Sequence, residues 1–277
     1  ILVVPMGVAG AAVATVASQA VSGIICTIYM TKKLKYLEFR KEDWTFSMRH
    51  CLKLCGMGLP MGLQYSITAI GSVILQTAVN DMGSTYVAAV SAGTKISMFM
   101  CCPFDAMGST MATYGGQNVG AKRLDRVDQG LKACIKMGII YALVALAFSI
   151  VFGKQLALLF VKKEQTELIG YIYEFVVANA AFYICLALVN IVRFMIQGLG
   201  YSTFAILAGI CEMIARSVAG FILVPHFGFI CVSLGSPLAW VCADLFLIPA
   251  YLWVMKQLKR KFGEDKMSNT KTATATA

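Results

Sequence analysis

Of the 24 lysines and arginines in this 277-residue chain, only Lys95, Arg193 and Arg216 sit deep inside long apolar runs. The other basic residues lie between or beside those runs. A chain that is 58% hydrophobic and only 14% charged, with its charge gathered into connectors, is built for a bilayer. Any ionisable group left at membrane depth is costly, so those few groups become the first candidates for function.

Seven runs are long enough to cross a membrane: 3–30, 57–80, 85–114, 134–160, 168–197, 203–225 and 229–255. A helical crossing takes roughly 20 residues at about 1.5 Å each, and most of these runs exceed that. The expected fold class is an all-α integral membrane protein with about seven transmembrane helices. Eighteen basic residues fall in the 31–56 connector, the 120–136 connector and the C-terminal tail, against Lys154, Lys162 and Lys163 on the other side. By the positive-inside rule the C-terminus and the first two of those segments face the cytoplasm, in a multi-pass protein of the plasma (inner) membrane. The basic stretches flank spans and form no folded reading domain, so the bilayer, not nucleic acid, is the expected partner of that charge.

The organisation reads as four parts. Residues 1–30 form a span rich in glycine, alanine and serine, a surface that lets neighbouring helices approach closely. Residues 31–56 form a charged amphipathic linker in which Trp44 and Phe46 suit an interface. Residues 57–260 hold six spans, and 261–277 form a disordered, threonine- and alanine-rich tail. Leu124, Val127 and Leu131 give the 120–136 stretch a helical apolar stripe, so it reads as a separate amphipathic helix on the membrane surface. A faint repeat relates Pro5 through Lys32 to Pro225 through Lys256, an outer proline/glycine turn followed by one span and a basic exit. Transporters are commonly built from two related halves. The chain starts at Ile1 and its small-residue first span calls for neighbours, which together suggest missing upstream helices.

The candidates for chemistry are the intramembrane charges. Asp105 follows Pro103, whose missing N–H frees the Phe99 carbonyl, and a carboxylate beside free backbone oxygen can hold a cation or a proton. Glu212 and Arg216 are one helical turn apart on one face, which suits either a structural salt bridge or a protonatable glutamate held by an arginine. Asp244 lies between Pro237 and Pro249 in the last run. Lys95 and Arg193 are secondary candidates, as possible partners of these acids, together with the polar Gln64 and Thr68 of the second run. The ten cysteines are scattered without metal-ligand spacing, and His50 and His226 stand near span ends. No Ser/His/Asp arrangement, HExxH or P-loop is present, so neither an enzyme nor a cofactor is expected.

The stretch Ala112-Thr-Tyr-Gly-Gly-Gln-Asn-Val-Gly-Ala-Lys-Arg123, with Gly116, Gln117, Asn118, Gly120 and Ala121 at its centre, resembles the signature after the eighth helix of the multidrug and toxic compound extrusion (MATE) transporters. Gly58-Leu-Pro60, Gln197-Gly-Leu-Gly200, and Glu212 with Arg216 fit the same family. The resemblance implies a two-lobe, inverted-V transporter, with the first run as the last helix of one lobe and the other six as the whole second lobe. The remaining first-lobe helices would then be partners outside this sequence. It also implies a secondary antiporter that expels cationic amphipathic drugs or metabolites, small organic cations, in exchange for Na+ or H+ by alternating access. Some members carry a glutamate in helix seven where Thr68 stands here, and an acid in helix ten near Leu186. Coupling in this chain is therefore expected on Asp105, Glu212 with Arg216, or Asp244, or in the absent lobe. A lipid-linked precursor flippase of the same superfamily and a non-transporting membrane scaffold stay open as alternatives.

Overall fold

The computed structural model describes the backbone of residues 7–33 and 45–275, and every described element is helical. Residues 1–52 and 53–277 form two compact units, taken separately below. The first holds helix α1 (Gly7–Lys33). The exposed hydroxyls of Ser18 and Thr27 donate to the carbonyls of Ala14 and Gly23 at 2.8 Å, so these polar residues do not prevent an apolar crossing. Lys32 and Lys33 in its last turn complement the negative end of the helix dipole.

The chain continues as α2 (Met48–Met82), α3 (Ser84–Gly120) and α4 (Leu124–Ala157). Next come α5 (Thr166–Ala181) and α6 (Tyr183–Gly198), then α7 (Thr203–Val218). A π-helical turn (Ala219–Leu223), α8 (Val224–Phe227) and α9 (Phe229–Ala275) complete it. Among the described residues, six helices are long and apolar enough to cross a membrane, and α5 with α6, bent by 51° at Phe182, makes a seventh crossing. Each of the seven expected runs overlaps one of these spans, within the described residues.

Three expectations about local structure need correction. The separate surface helix over 120–136 does not form: α4 is one helix from Leu124, and the stripe of Leu124, Val127 and Leu131 is buried as its first turns. The second span begins nine residues earlier than expected, at Met48, which absorbs the end of the proposed linker, while Trp44 lies outside the described residues. The fifth run is broken at Phe182. The helix assignment of α9 runs on to Ala275.

Between helices in lipid there is no hydrophobic drive, since lipid tails are as apolar as leucine, so packing and hydrogen bonds must hold the bundle. Close approach is visible where α3 meets α6: a Cβ at Gly198 would stand 2.2 Å from the Ala112 carbonyl oxygen, and one at Gly115 would stand 2.7 Å from Met195 Sδ. One apolar cluster gathers Phe104, Tyr183, Ile191, Met195, Trp240 and Leu247. A second gathers Val79, Ile172, Val176, Phe229 and Val232. The rings of Tyr86, Tyr171 and Phe229 pack within 4.9–5.3 Å of one another at the second. Meanwhile Ile140, Val144 and Val151 of α4 and Leu245 and Leu252 of α9 lie exposed, an outer surface suited to lipid.

Candidate functional site: a buried charge cluster across three helices

Apolar packing of α6, α7 and α9 leaves a small polar island between them. Glu212 lies on α7 with 2% of its surface exposed. Arg216, one turn on, donates from Nη1 to Glu212 Oε2 at 3.3 Å. Arg193 of α6 donates from Nη2 to Glu212 Oε1. A single carboxylate therefore bridges two guanidinium groups, all three side chains being buried. Burying any one of these charges alone would be prohibitive, and the bridge offsets that cost. The Nε atoms of both arginines are left without hydrogen-bond partners.

Asp244 of α9 is buried too, yet neither of its carboxyl oxygens has a hydrogen-bond partner. The charge of Arg193 acts on it. Two arginines and two acids thus share one neighbourhood, with formal charges that cancel when all four are ionised. α2 closes over the α7 side: a Cβ at Gly209 would lie 3.3 Å from Gln64 Cγ and 3.6 Å from Thr68 Oγ1. One added at Gly71 would lie 3.4 Å from Arg216 Cδ. Gln64 and Thr68, flagged from sequence, therefore stand next to the helix that carries Glu212.

The other sequence candidates sit apart. Asp105 is exposed on α3 and accepts one hydrogen bond, from Asn190 Nδ2 at 3.1 Å. Asn190 shares a face of α6 with Arg193 and Gln197 at helical spacing, and Gln197 is buried with both amide atoms unpartnered. Arg193 and Gln197 are named separately from the sequence, but Asn190 and the stripe Asn190–Arg193–Gln197 are not, although the spacing is there to find. Lys95 is exposed and meets neither Asp105 nor Asp244 in any ion pair.

The signature residues act on the backbone. A Cβ at Gly116 would lie 3.4 Å from the Gly198 carbonyl oxygen, so the motif includes part of the α3/α6 close approach. Ala121 N–H donates to the Gln117 carbonyl, and Arg123 N–H donates to the Asn118 carbonyl at 2.8 Å. The buried Asn118 side chain donates to the Tyr114 carbonyl. Gly120 ends α3, and the turn after Ala121 passes through Lys122 at φ +57°. Beside this turn, also unforeseen, Asp128 of α4 accepts from Tyr251 Oη at 2.9 Å and Lys259 Nζ at 3.1 Å, both on α9.

Six helical crossings with ionisable groups buried between three of the helices define the class: an all-α integral membrane protein. The MatE family model matches residues 60–222, more than half of the chain, and the chain belongs to that family. Two curated relatives, both from Bacillus subtilis (strain 168), are the probable multidrug resistance proteins YoeA and YpnP. YoeA is 24% identical over 174 residues, and YpnP is 28% identical over 168 residues. Each alignment covers 60% of this chain but only 36% and 37% of the relative, respectively. Among solved structures, a MATE in complex with MaL6 superimposes with a TM-score of 0.81 at 21% identity, over 92% of this chain and 58% of that one. An outward-facing multidrug resistance MATE transporter of the MOP superfamily gives 0.79 at 23% identity, with the same coverage. At such identities these structures show a shared fold.

Proposed function

We propose that the complete protein is a secondary active antiporter, exporting cationic amphipathic drugs or metabolites in exchange for Na+ or H+ by alternating access. On this reading it lies in the plasma membrane with a cytoplasmic C-terminus, and a first lobe outside this sequence completes its cavity. Membership of the MatE family and the multidrug resistance names of its Bacillus relatives support the transport class. The observation that carries the coupling reading is Asp244, a buried carboxylate with no donor to stabilise its charge.

An unpartnered buried carboxylate is costly when ionised, and a bound proton or metal cation removes that cost. With Asp244 ionised, Arg193 feels two carboxylates, on α7 and α9. With Asp244 neutralised, only the Glu212 bridge remains. Each state of Asp244 therefore favours a different balance of forces among α6, α7 and α9. A ligand moves a conformational equilibrium only through different affinities for its states, and this change of balance supplies such a difference. An organic cation competes with the coupling ion for the bare Asp244 carboxylate, which yields exchange. Each elementary charge moved across the bilayer is worth about 2.3 kcal/mol per 100 mV.

The test uses the complete gene product in proteoliposomes carrying an imposed Na+ or H+ gradient. Wild type should expel ethidium on imposing one of the two gradients, whereas Asp244→Asn should bind ethidium more weakly and lose gradient-driven efflux. Full ion-driven efflux by Asp244→Asn would overturn the assignment of the site. Absence of ethidium efflux by verified, correctly inserted wild type would overturn the substrate class.

A further inference from the structure

Eleven residues into α3, Lys95 breaks an otherwise apolar stretch and is exposed. It has no hydrogen bond or ion pair among the described residues, in contrast to Lys154 at the same end of the bundle, whose Nζ lies 5.4 Å from the centre of the Tyr173 ring. Lys95 lines a cavity of about 260 Å³ with Phe99, Met100, Leu156, Leu159 and Phe160. Apart from the lysine, the walls are hydrocarbon, aromatic ring and thioether. Drug-sized ligands usually take roughly 300–1,000 Å³, so this space suits a stretch of chain better than a folded-up drug. Leu159 and Phe160 also line a neighbouring open hollow of about 460 Å³ that holds Lys162 and Lys163.

We propose that this pocket holds one acyl chain of an acidic phospholipid from the surrounding bilayer, with the lipid phosphate paired to Lys95. Charge and geometry select that occupant. The unpaired ammonium calls for an anion, the apolar walls call for an acyl chain, and an amphiphilic anion satisfies both. The adjoining Lys162 and Lys163, with Glu164 beside them, leave the turn that follows α4 net positive, which favours an anionic headgroup there. The same field repels cationic amphiphiles, which separates this pocket from the proposed export path. The inference does not depend on that path or on Asp244.

The experiment compares phosphatidylglycerol with phosphatidylcholine binding to the complete, delipidated protein by native mass spectrometry. Wild type should retain phosphatidylglycerol preferentially, and Lys95→Gln should lose about fivefold of that preference, the scale of one lysine–acidic-lipid interaction. Lys95→Arg, which keeps the charge, should retain it. Should Lys95→Gln fail to fold, a photoactivatable phosphatidylglycerol on wild type replaces it, and must label peptides spanning 95–100 or 156–163. Unchanged preference in folded Lys95→Gln, or labelling confined to other peptides, overturns the proposal. So does equal retention of both lipids by wild type, the result expected if another helix occupies the pocket instead.

Discussion

Glu212 and Asp244 are both carboxylates sunk between the same helices, 2% and 7% exposed, yet they are wired in opposite ways. Glu212 accepts from two arginines, one per oxygen. Asp244 accepts from nothing. Burial alone therefore says little about what a charged group is for. A carboxylate held by two donors on two helices is a fixed anion that ties α6 to α7. One left bare beside an arginine has an ionisation state that a cation can change, and that is the property an exchanger needs.

The contrast can be broken at its strongest point first. Glu212→Gln strands two buried guanidinium groups and should cost about 3–5 kcal/mol, read as a large fall in the unfolding temperature of the purified protein. The double variant Glu212→Gln with Arg193→Gln should recover part of that loss, because it removes one of the stranded charges. If Glu212→Gln unfolds like wild type, the bridge is not the clamp described. Asp244→Asn, by comparison, should leave stability within about 1 kcal/mol while abolishing ion-driven efflux, because no hydrogen bond is lost. A stability loss as large as that of Glu212→Gln would erase the distinction between the two acids.

Two outlying carboxylates sharpen the comparison at smaller scale. Asp105→Asn alters one part-buried hydrogen bond with Asn190 and should cost about 0.5–1.5 kcal/mol in chemical denaturation, with the unfolding slope unchanged. Asp128→Asn weakens the links to Tyr251 and Lys259. The lysine side chain is 58% exposed and the aspartate 35%, so solvent screening should hold the ion-pair loss below about 1 kcal/mol.

Long apolar runs between basic connectors made the seven crossings legible, because length and charge placement are properties of single segments. What those runs left hidden came from packing between segments. The break at Phe182 carries no proline or glycine to announce it, and the π-helical turn at Ala219–Leu223 lies in a run that reads as ordinary helix. The amphipathic start of α4 looked like an independent surface helix because Leu124, Val127 and Leu131 suit a membrane interface as well as they suit a protein neighbour. At the site, Glu212 and Arg216 could be paired from their spacing. Arg193 lies 19 residues earlier on another helix, so its contact with Glu212 depends on the tertiary fold. The signature around Gly116 was recognisable as a family mark, but its physical task, a close helix crossing and a turn, emerged only with Gly198 opposite it.

The widened turn at Ala219–Leu223 has a mechanical corollary. It houses a residue more than a regular winding would, directly ahead of Pro225 and the glycine bend at Gly228. Were it to tighten into ordinary α geometry, everything downstream in α8 would screw round by about 100°, one residue's worth of rotation. Val224, now tucked inward at 5% exposure, would be carried off its seat. A helix built this way stores a discrete click instead of a gradual flex.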